Sequence, residues 1–479
     1  MIQQLKRYHP AFIAVELFSF IKGIFWFYLY LFILKAGSSA AWVTWGRYLL
    51  LLVSAGGIIM IFLKWYFHRY EMSETSIVMY EGVFVKTQRS VPFDRIHNQT
   101  SNTTFFHRWF GLTSLTLDTG TSGENASYEF PVITESERQR ILSYLEQQRL
   151  PNDDSGLNER KANVDRRIHF QSTKKDIIRA SFTSLSFFAI FPLLSALYFN
   201  LADFFEIEDT AKNALDYLVL HWWMLIVLLI VALLLSVVIG FIKTSIKYGN
   251  YVISDDQERI YIEKGIGQTI NFSIPKHRVQ AVMIEQTLLK RMLGLASVKL
   301  LSAGAFDGED SEPSSLYPFL PKKQAYRILQ AMLPNYQICE EMERLPIKVL
   351  WLKLLKPYYL TIAVIVGLLI FKREWLWVAA IIFAVSILSR ILDYWFTSYI
   401  RNDNIVQIRK GGFTTETFVT TRERIQQVTI EHSWLQRKFN ITTVKFSNKA
   451  KPYHESVLFG ISQQEAAHFY NWFVKKQPS

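Results

Sequence analysis

The stretch 265–279, GIGQTINFSIPKHRV, decides the fold. Ile266, Ile270, Phe272 and Ile274 alternate with Gly267, Thr269, Asn271 and Ser273, the period of a strand with one buried face. Gly265 stands thirteen residues before Arg278, and the same interval separates Gly82 from Arg95 and Gly411 from Arg424. Sixteen residues past each arginine comes Gly111, Gly294 or Asn440, residue types suited to a turn with positive φ. Each is preceded by Phe110, Leu293 or Phe439 and followed by Leu112, Leu295 or Ile441. A second arginine lies thirteen residues after the first, as Arg108, Arg291 and Arg437. Matches at fixed offsets in three places mark an internal repeat.

Downstream of each turn residue, Leu115 with Leu117, Val298 with Leu300, and Val444 with Phe446 again alternate as in a strand. Each copy then closes on a helical pattern: Ala325, Ile328, Leu329 and Met332, or Ala466, Phe469, Tyr470 and Phe473, with a weaker version at Ile141, Leu142 and Leu145. A terminal helix can cover the open side of a few short antiparallel strands. Upstream, Arg7-Tyr8-His9, Arg167-Ile168-His169 and Arg344-Leu345-Pro346 lead into apolar segments, so the repeating unit is an apolar hairpin followed by a small domain.

Six apolar stretches approach the roughly 20 residues a bilayer core requires. They are Ala11–Leu34, Val43–Phe67, Ile178–Phe204, Leu218–Ile242, Leu350–Phe371 and Trp375–Phe396, the last two having the shorter charge-free cores, Tyr358–Phe371 and Trp375–Leu388. The expected organisation is hairpins at 1–67, 178–244 and 350–396, small domains at 68–148, 245–335 and 397–479, and linkers at 149–177 and 336–349. Lys6, Arg7, Lys64, Arg69, Lys174, Lys175, Arg179, Lys243, Lys247, Lys348, Lys353 and Lys356 flank the domain ends of the hairpins. The loop between the third and fourth stretches instead carries Asp203, Glu206, Glu208, Asp209 and Asp216. Positive residues stay on the cytoplasmic side, which predicts a multi-pass cell-membrane protein with both termini and all domains cytoplasmic; only Lys372 and Arg373 oppose it.

The 479 residues carry a formal charge of +12 and are 50% hydrophobic and 15% aromatic, which suits an anionic bilayer face better than nucleic acid. The single cysteine, Cys339, excludes an intrachain disulfide and fits a reducing compartment. The first apolar stretch is too long for a signal core and lacks a small-residue cleavage site.

The repeated glycine, the pairs Val91-Pro92 and Ile274-Pro275, the motifs Arg95-Ile96, Arg278-Val279 and Arg424-Ile425, and the Phe-Gly-Leu turn together resemble a known family. It is the bacterial pleckstrin-homology-like (PH-like) domain of multi-span membrane proteins of YdbT/YdbS type, here in three repeats. The third copy departs at Thr421, where proline is expected, and at Asn440. The resemblance covers nearly the whole chain and implies an α+β membrane protein: six transmembrane helices in three hairpins, each followed by a bent antiparallel sheet (barrel) with a C-terminal helical cap. It also implies a membrane-anchored scaffold without catalytic activity, a smaller one-domain PH-like membrane partner or self-assembly, and a connection to envelope stress or antimicrobial-peptide resistance.

A search for chemistry leaves few candidates. Phosphate-loop, paired-histidine zinc and serine-elbow motifs are absent from the sequence, and neither cofactor nor metal is expected. His97, His277 and His432 stand at different offsets from the repeated arginine, which disfavours a shared site. Asp307, Glu309, Asp310 and Glu312 lack the ligand spacing of a calcium loop and read as a solvated segment. Arg95, Arg278 and Arg424 suit an anionic headgroup or a partner carboxylate, but threefold recurrence favours a structural role tying strand ends to carbonyls. Arg108, Arg291 and Arg437, with Lys290, Lys438, Trp109, Met292 and Trp434, fit either a structural role or contact with anionic inner-leaflet lipid. Glu16, Lys22, Arg390 and Asp393 are charges within the apolar stretches; Arg390 and Asp393 are close enough to pair, and snorkelling explains the others. The expected function is a non-enzymatic scaffold presenting three cytoplasmic domains for protein assembly and membrane-surface contact. The alternative is a transporter or flippase working through the hairpins.

Overall fold

The computed structural model describes residues 5–73, 75–96, 98–119, 127–147, 166–183, 223, 237–302, 315–371, 373–450 and 454–474. The third and fourth apolar stretches fall largely outside the described residues, as do His97 and the acidic segment 307–312. Two compact units are present. One comprises 1–165 together with 267–273, and the other comprises 166–266 and 274–479.

In the first unit, helices Ala11–Tyr28 and Ala41–Phe67 form the apolar hairpin, with a π-helical turn Leu29–Leu34 at its loop end. Strands β1 (Lys6–Arg7), β2 (Arg69–Met72), β3 (Ser76–Glu81) and β4 (Thr87–Pro92) form one antiparallel sheet in chain order. A single 3-10 turn, Phe93–Arg95, then carries the chain out of that sheet. Strands β5 (Asn98–Thr103), β6 (Leu112–Asp118) and β7 (Ser127–Thr134) build a second sheet. Both sheets and the helix Glu135–Gln147 close on one core containing Ile77, Met79, Val91, Leu115, Leu117, Phe130, Ile141 and Leu145. Tyr8 and Phe12, at the start of the first apolar helix, are buried in the same core, and Trp65 Nε1 donates to the Tyr8 carbonyl at 3.0 Å. The hairpin is therefore keyed into the domain beneath it.

The sheets stay open, which corrects the expected barrel. The edge of β5 that closure within one repeat would use is occupied by a strand from the next repeat. Residues Thr269 to Ser273 pair antiparallel with Thr103 to Gln99. This strand, β11, runs Thr269–Pro275, so Ile266 falls in the preceding turn and is exposed rather than buried.

The second unit repeats the arrangement. Strands β8 (Arg167–Gln171), β9 (Val252–Asp255) and β10 (Arg259–Lys264) pair in series. A seven-stranded sheet follows, in the order β14 (Ser315–Pro321), β13 (Leu295–Ser302), β12 (Val279–Gln286), β18 (Thr415–Thr421), β17 (Ile405–Lys410), β16 (Ser398–Arg401), β15 (Glu343–Arg344). Here β18 of the third repeat lies beside β12 of the second. The remaining strands, β19 (Ile425–Glu431), β20 (Ile441–Asn448) and β21 (His454–Ser462), form a three-stranded sheet. Helix Lys322–Met332 buries the four residues of its apolar stripe, whereas helix Gln463–Val474 buries Ala466 and Phe469 and leaves Tyr470 exposed. The segments 149–177 and 336–349, read as linkers, supply β8 and β15 to these sheets.

The fifth apolar stretch is two helices. Pro357 lacks the N–H that a continuous helix requires, and the chain breaks there between Lys348–Leu355 and Tyr359–Phe371. The first piece buries Val349 and Leu352 in the third-repeat core with Leu345, Phe446 and Phe469. The chain continues as helix Leu376–Phe396. Among the described residues, four helical segments are long and apolar enough to cross a membrane: Ala11–Leu34, Ala41–Phe67, Lys348–Ile370 and Arg373–Phe396.

Candidate membrane-surface and assembly interface

Each repeated arginine set occupies one structural position. Arg95, Arg278 and Arg424 are the last residues of the 3-10 turns Phe93–Arg95, Lys276–Arg278 and Arg422–Arg424. The third turn forms without the expected proline, Thr421 taking the same extended backbone as Pro92 and Pro275. The Arg424 carbonyl accepts from Asn448 Nδ2 at 2.9 Å, and Asn448 also donates to Thr420 Oγ1 at 2.8 Å. This buried amide pins the turn to the sheets on both sides of it.

Arg108, Arg291 and Arg437 sit on three matching five-residue helices, Phe105–Trp109, Leu288–Met292 and Trp434–Lys438. Thr104, Thr287 and Ser433 cap them by accepting from the backbone N–H three residues on. The turns that follow place Gly111, Gly294 and Asn440 at φ of 62°, 67° and 55°. Each helix exposes large apolar groups beside its cations. Trp109 is 70% exposed, Met292 76% and Trp434 76%. In the first unit Phe106 lies 4.8 Å, ring to ring, from Phe18 of the apolar hairpin. In the second the Arg291 guanidinium stacks 4.1 Å from the ring of Phe396, the last residue of an apolar helix. The short helix of the first repeat and that of the second thus lie at the domain end of an apolar helix.

Arg108 and Arg291 also reach a β-hairpin in the domain of the following repeat. Arg108 donates to Thr269 Oγ1 at 2.7 Å and Arg291 to the Gly412 carbonyl at 3.3 Å. Beside Gly412 lies a cleft of about 420 Å³ lined by Glu285, Asp393, Lys410, Gly411, Thr414 and Glu416. Its carboxylates are neutralised in place: Glu285 by Lys299 at 2.8 Å, Glu416 by Lys410 at 3.3 Å and Asp393 by Lys353 at 2.8 Å. Glu285 and Glu416 stand directly opposite one another across β12 and β18, so these lysines offset a like-charge pair.

The charges within the apolar stretches resolve differently from the expected Arg390–Asp393 pair. Arg390 donates to the carbonyls of Lys353 (3.0 Å), Leu354 (3.2 Å), Pro357 (2.9 Å) and Lys356, and its guanidinium lies 3.6 Å from the Tyr358 ring. It satisfies the carbonyls released by the break at Pro357. Asp393 instead takes Lys353 and the Gly411 N–H. Glu16 is half-buried and Lys22 exposed on helix Ala11–Tyr28. Arg47, which no sequence motif marks, donates to the carbonyls of Leu31, Lys35 and Ala36 and closes the loop end of the first hairpin.

The bacterial PH domain family model matches residues 17–149, 196–335 and 350–477. The chain belongs to the bacterial PH domain family. It is 22% identical, over 99% of both chains, to the UPF0699 transmembrane protein YdbT of Bacillus subtilis (strain 168). No solved structure matches it significantly. Membership in this family and the apolar helices make the chain a membrane protein with bacterial PH domains.

Two features of these bacterial PH domains were not legible as motifs. His169 Nε2 and Lys276 Nζ both engage Asp255, at 2.7 and 2.5 Å, and this cluster ties β8 and the 3-10 turn to β9. His454 stacks on Phe418 at 5.1 Å. Burial holds its imidazole below the ordinary histidine pKa; Glu416 and Glu285 oppose the shift and Lys410 adds to it. A depressed base binds its proton more readily when unfolded. Its contribution to stability is therefore complete above an unfolded pKa of about 6.5 and is lost as pH falls through that value toward the folded pKa. The unfolding temperature of the detergent-solubilised chain is expected to fall between pH 7.5 and 5.5, and His454→Gln to reduce that slope. Identical slopes would remove His454 from the account.

Proposed function

We propose that this chain is a non-enzymatic scaffold in the cell membrane, its PH domains and both termini cytoplasmic, assembling proteins while its short cationic helices rest on the anionic inner leaflet. The observation that carries the reading is the recurrence of one surface in three repeats: a capped five-residue helix with an arginine beside an exposed Trp or Met. Phe106 against Phe18 and Arg291 against Phe396 support a position near the headgroups. The positive-inside distribution supports the orientation. The resemblance to YdbT-type proteins suggests envelope stress or antimicrobial-peptide resistance as the setting and a one-domain PH-like membrane protein as a candidate partner. In a transporter or flippase the intramembrane charges would line a path, but Arg390 and Asp393 are committed to helix-end carbonyls and to Lys353, which favours the scaffold.

Crosslinking in native membranes followed by purification tests the assembly role; recovery of a lone monomer would overturn it. Hydrogen exchange of helix Trp434–Lys438 in nanodiscs tests the lipid contact. Protection is expected to rise with anionic lipid and fall with salt. Arg437→Ala with Lys438→Ala should remove about 2 kcal/mol of it, at roughly 1 kcal/mol per basic group. Protection indifferent to lipid charge would rule the contact out.

A further inference from the structure

The two junctions between repeats use one pairing rule. Residues Gln99 to Thr103, four to eight positions after Arg95, pair with Ser273 to Thr269, five to nine positions before Arg278. Residues Val282 to Gln286, four to eight positions after Arg278, pair with Val419 to Thr415, five to nine positions before Arg424. The register is the same in both. Three repeats with two junctions leave one unused edge of each kind among the described residues. At one end β4 is the terminal strand of its sheet, and at the other β19 is.

Both edges carry the signs of an uncovered junction. From Val279 to Ile284, β12 is buried, whereas the matching β19 exposes Gln426, Gln427, Ile430 and Glu431. On β4, Thr87, Gln88 and Ser90 are exposed. The hairpin tip before it presents Phe84 at 84% exposure, against 37% for the equivalent Phe413 beside the second junction. Arg108 and Arg291 each donate to the β-hairpin that supplies the junction's second strand, whereas the matching Arg437 is exposed. An open edge strand is a template for another chain.

We propose that β19 of one copy pairs antiparallel with β4 of a second copy in the register of the internal junctions, which sets Val428 opposite Ser90, Thr429 opposite Arg89 and Ile430 opposite Gln88. The pairing continues the array of sheets from one molecule into the next. It also brings Arg89 diagonally across from Glu431, an attractive pair. The interface is heterologous, so the assembly is a closed ring or an open filament, not a two-fold dimer. This deepens the assembly reading above and rests on it.

The test is disulfide trapping in membranes containing two differently tagged full-length copies, both with Cys339→Ser. One copy carries Gln88→Cys and the other Ile430→Cys; the control pair, Thr87→Cys with Gln426→Cys, is five residues out of register, roughly 17 Å. In-register yield is expected to exceed the control by at least about tenfold, because a disulfide needs Cα atoms within about 7 Å. Gln88→Lys with Ile430→Lys in every copy should disperse the assembly, and Gln88→Glu with Ile430→Lys should restore it. Equal yields from a chain that remains oligomeric would overturn the edge pairing and leave the assembly reading standing. A monomer would overturn both. A different protein trapped at Ile430→Cys in place of the tagged copy would overturn pairing with a second copy.

Discussion

Replacing Asp393 by alanine is expected to destabilise the third repeat by about 3 kcal/mol, at the lower end of the range for orphaning a buried charge. The Lys353 side chain is 7% exposed and its ammonium lies 2.8 Å from Asp393, on a helix whose neighbouring Val349 and Leu352 belong to the domain core. Without the carboxylate the ammonium keeps, among the described residues, a long contact to Thr397 Oγ1 at 3.5 Å. Asp393 is itself 40% exposed, so water screens part of the loss. Lys353→Met should be milder, because the half-exposed carboxylate left behind stays hydrated. In the double variant most of the loss should be recovered, since the apolar side chain fills the same space without a charge. Thermal unfolding of the four proteins in one detergent measures the coupling. If the double variant is no more stable than Asp393→Ala alone, the ion pair is not the cause.

The repeat was legible because its markers are backbone requirements. Gly111, Gly294 and Asn440 recur because the chain turns there at positive φ, and the closing helix of the second repeat shows its buried stripe at the expected spacing. What the sequence hid is where the strands go. The alternation in 269–275 shows that one face of that strand is covered but not which repeat supplies its neighbour, since backbone hydrogen bonds to β5 are made by groups common to all residues. The barrel expectation failed for this reason. Arg390 and Asp393 illustrate a second limit. Three-residue spacing on a helix permits a pair, yet the break at Pro357 offers Arg390 several free carbonyls, and Lys353 enters Asp393's reach from another helix. Arg47 was equally invisible, because its acceptors appear only where the first helix ends in a π-helical turn.

Gly411→Ala is expected to cost about 3 kcal/mol or more, the sum of two terms that Gly111→Ala does not share. Gly411 holds φ at 114°, outside the left-handed region that other residues tolerate, which costs on the order of 1–3 kcal/mol for a residue with a side chain. In addition, a Cβ there would lie 2.0 Å from the Thr414 carbonyl oxygen, a backbone atom that moves only if the turn between β17 and β18 opens. Gly82 is built alike, at φ 101° with its Cβ position 1.8 Å from the Val85 oxygen. Gly111, by contrast, takes φ 62° with nothing within 4 Å, so alanine there should cost only about 1–2 kcal/mol. Gly111→Asn should cost less still, since Asn440 fills the equivalent position at φ 55°. Opening the Gly411 turn would also release the Gly412 carbonyl from Arg291 and the Gly411 N–H from Asp393. Hydrogen exchange should therefore spread from β17 and β18 into β12 in the Gly411 variant and remain local in the Gly111 variant. Equal losses at the two glycines would mean that steric closure of the hairpin does not govern the junction, and that the pairing of β12 with β18 holds without it.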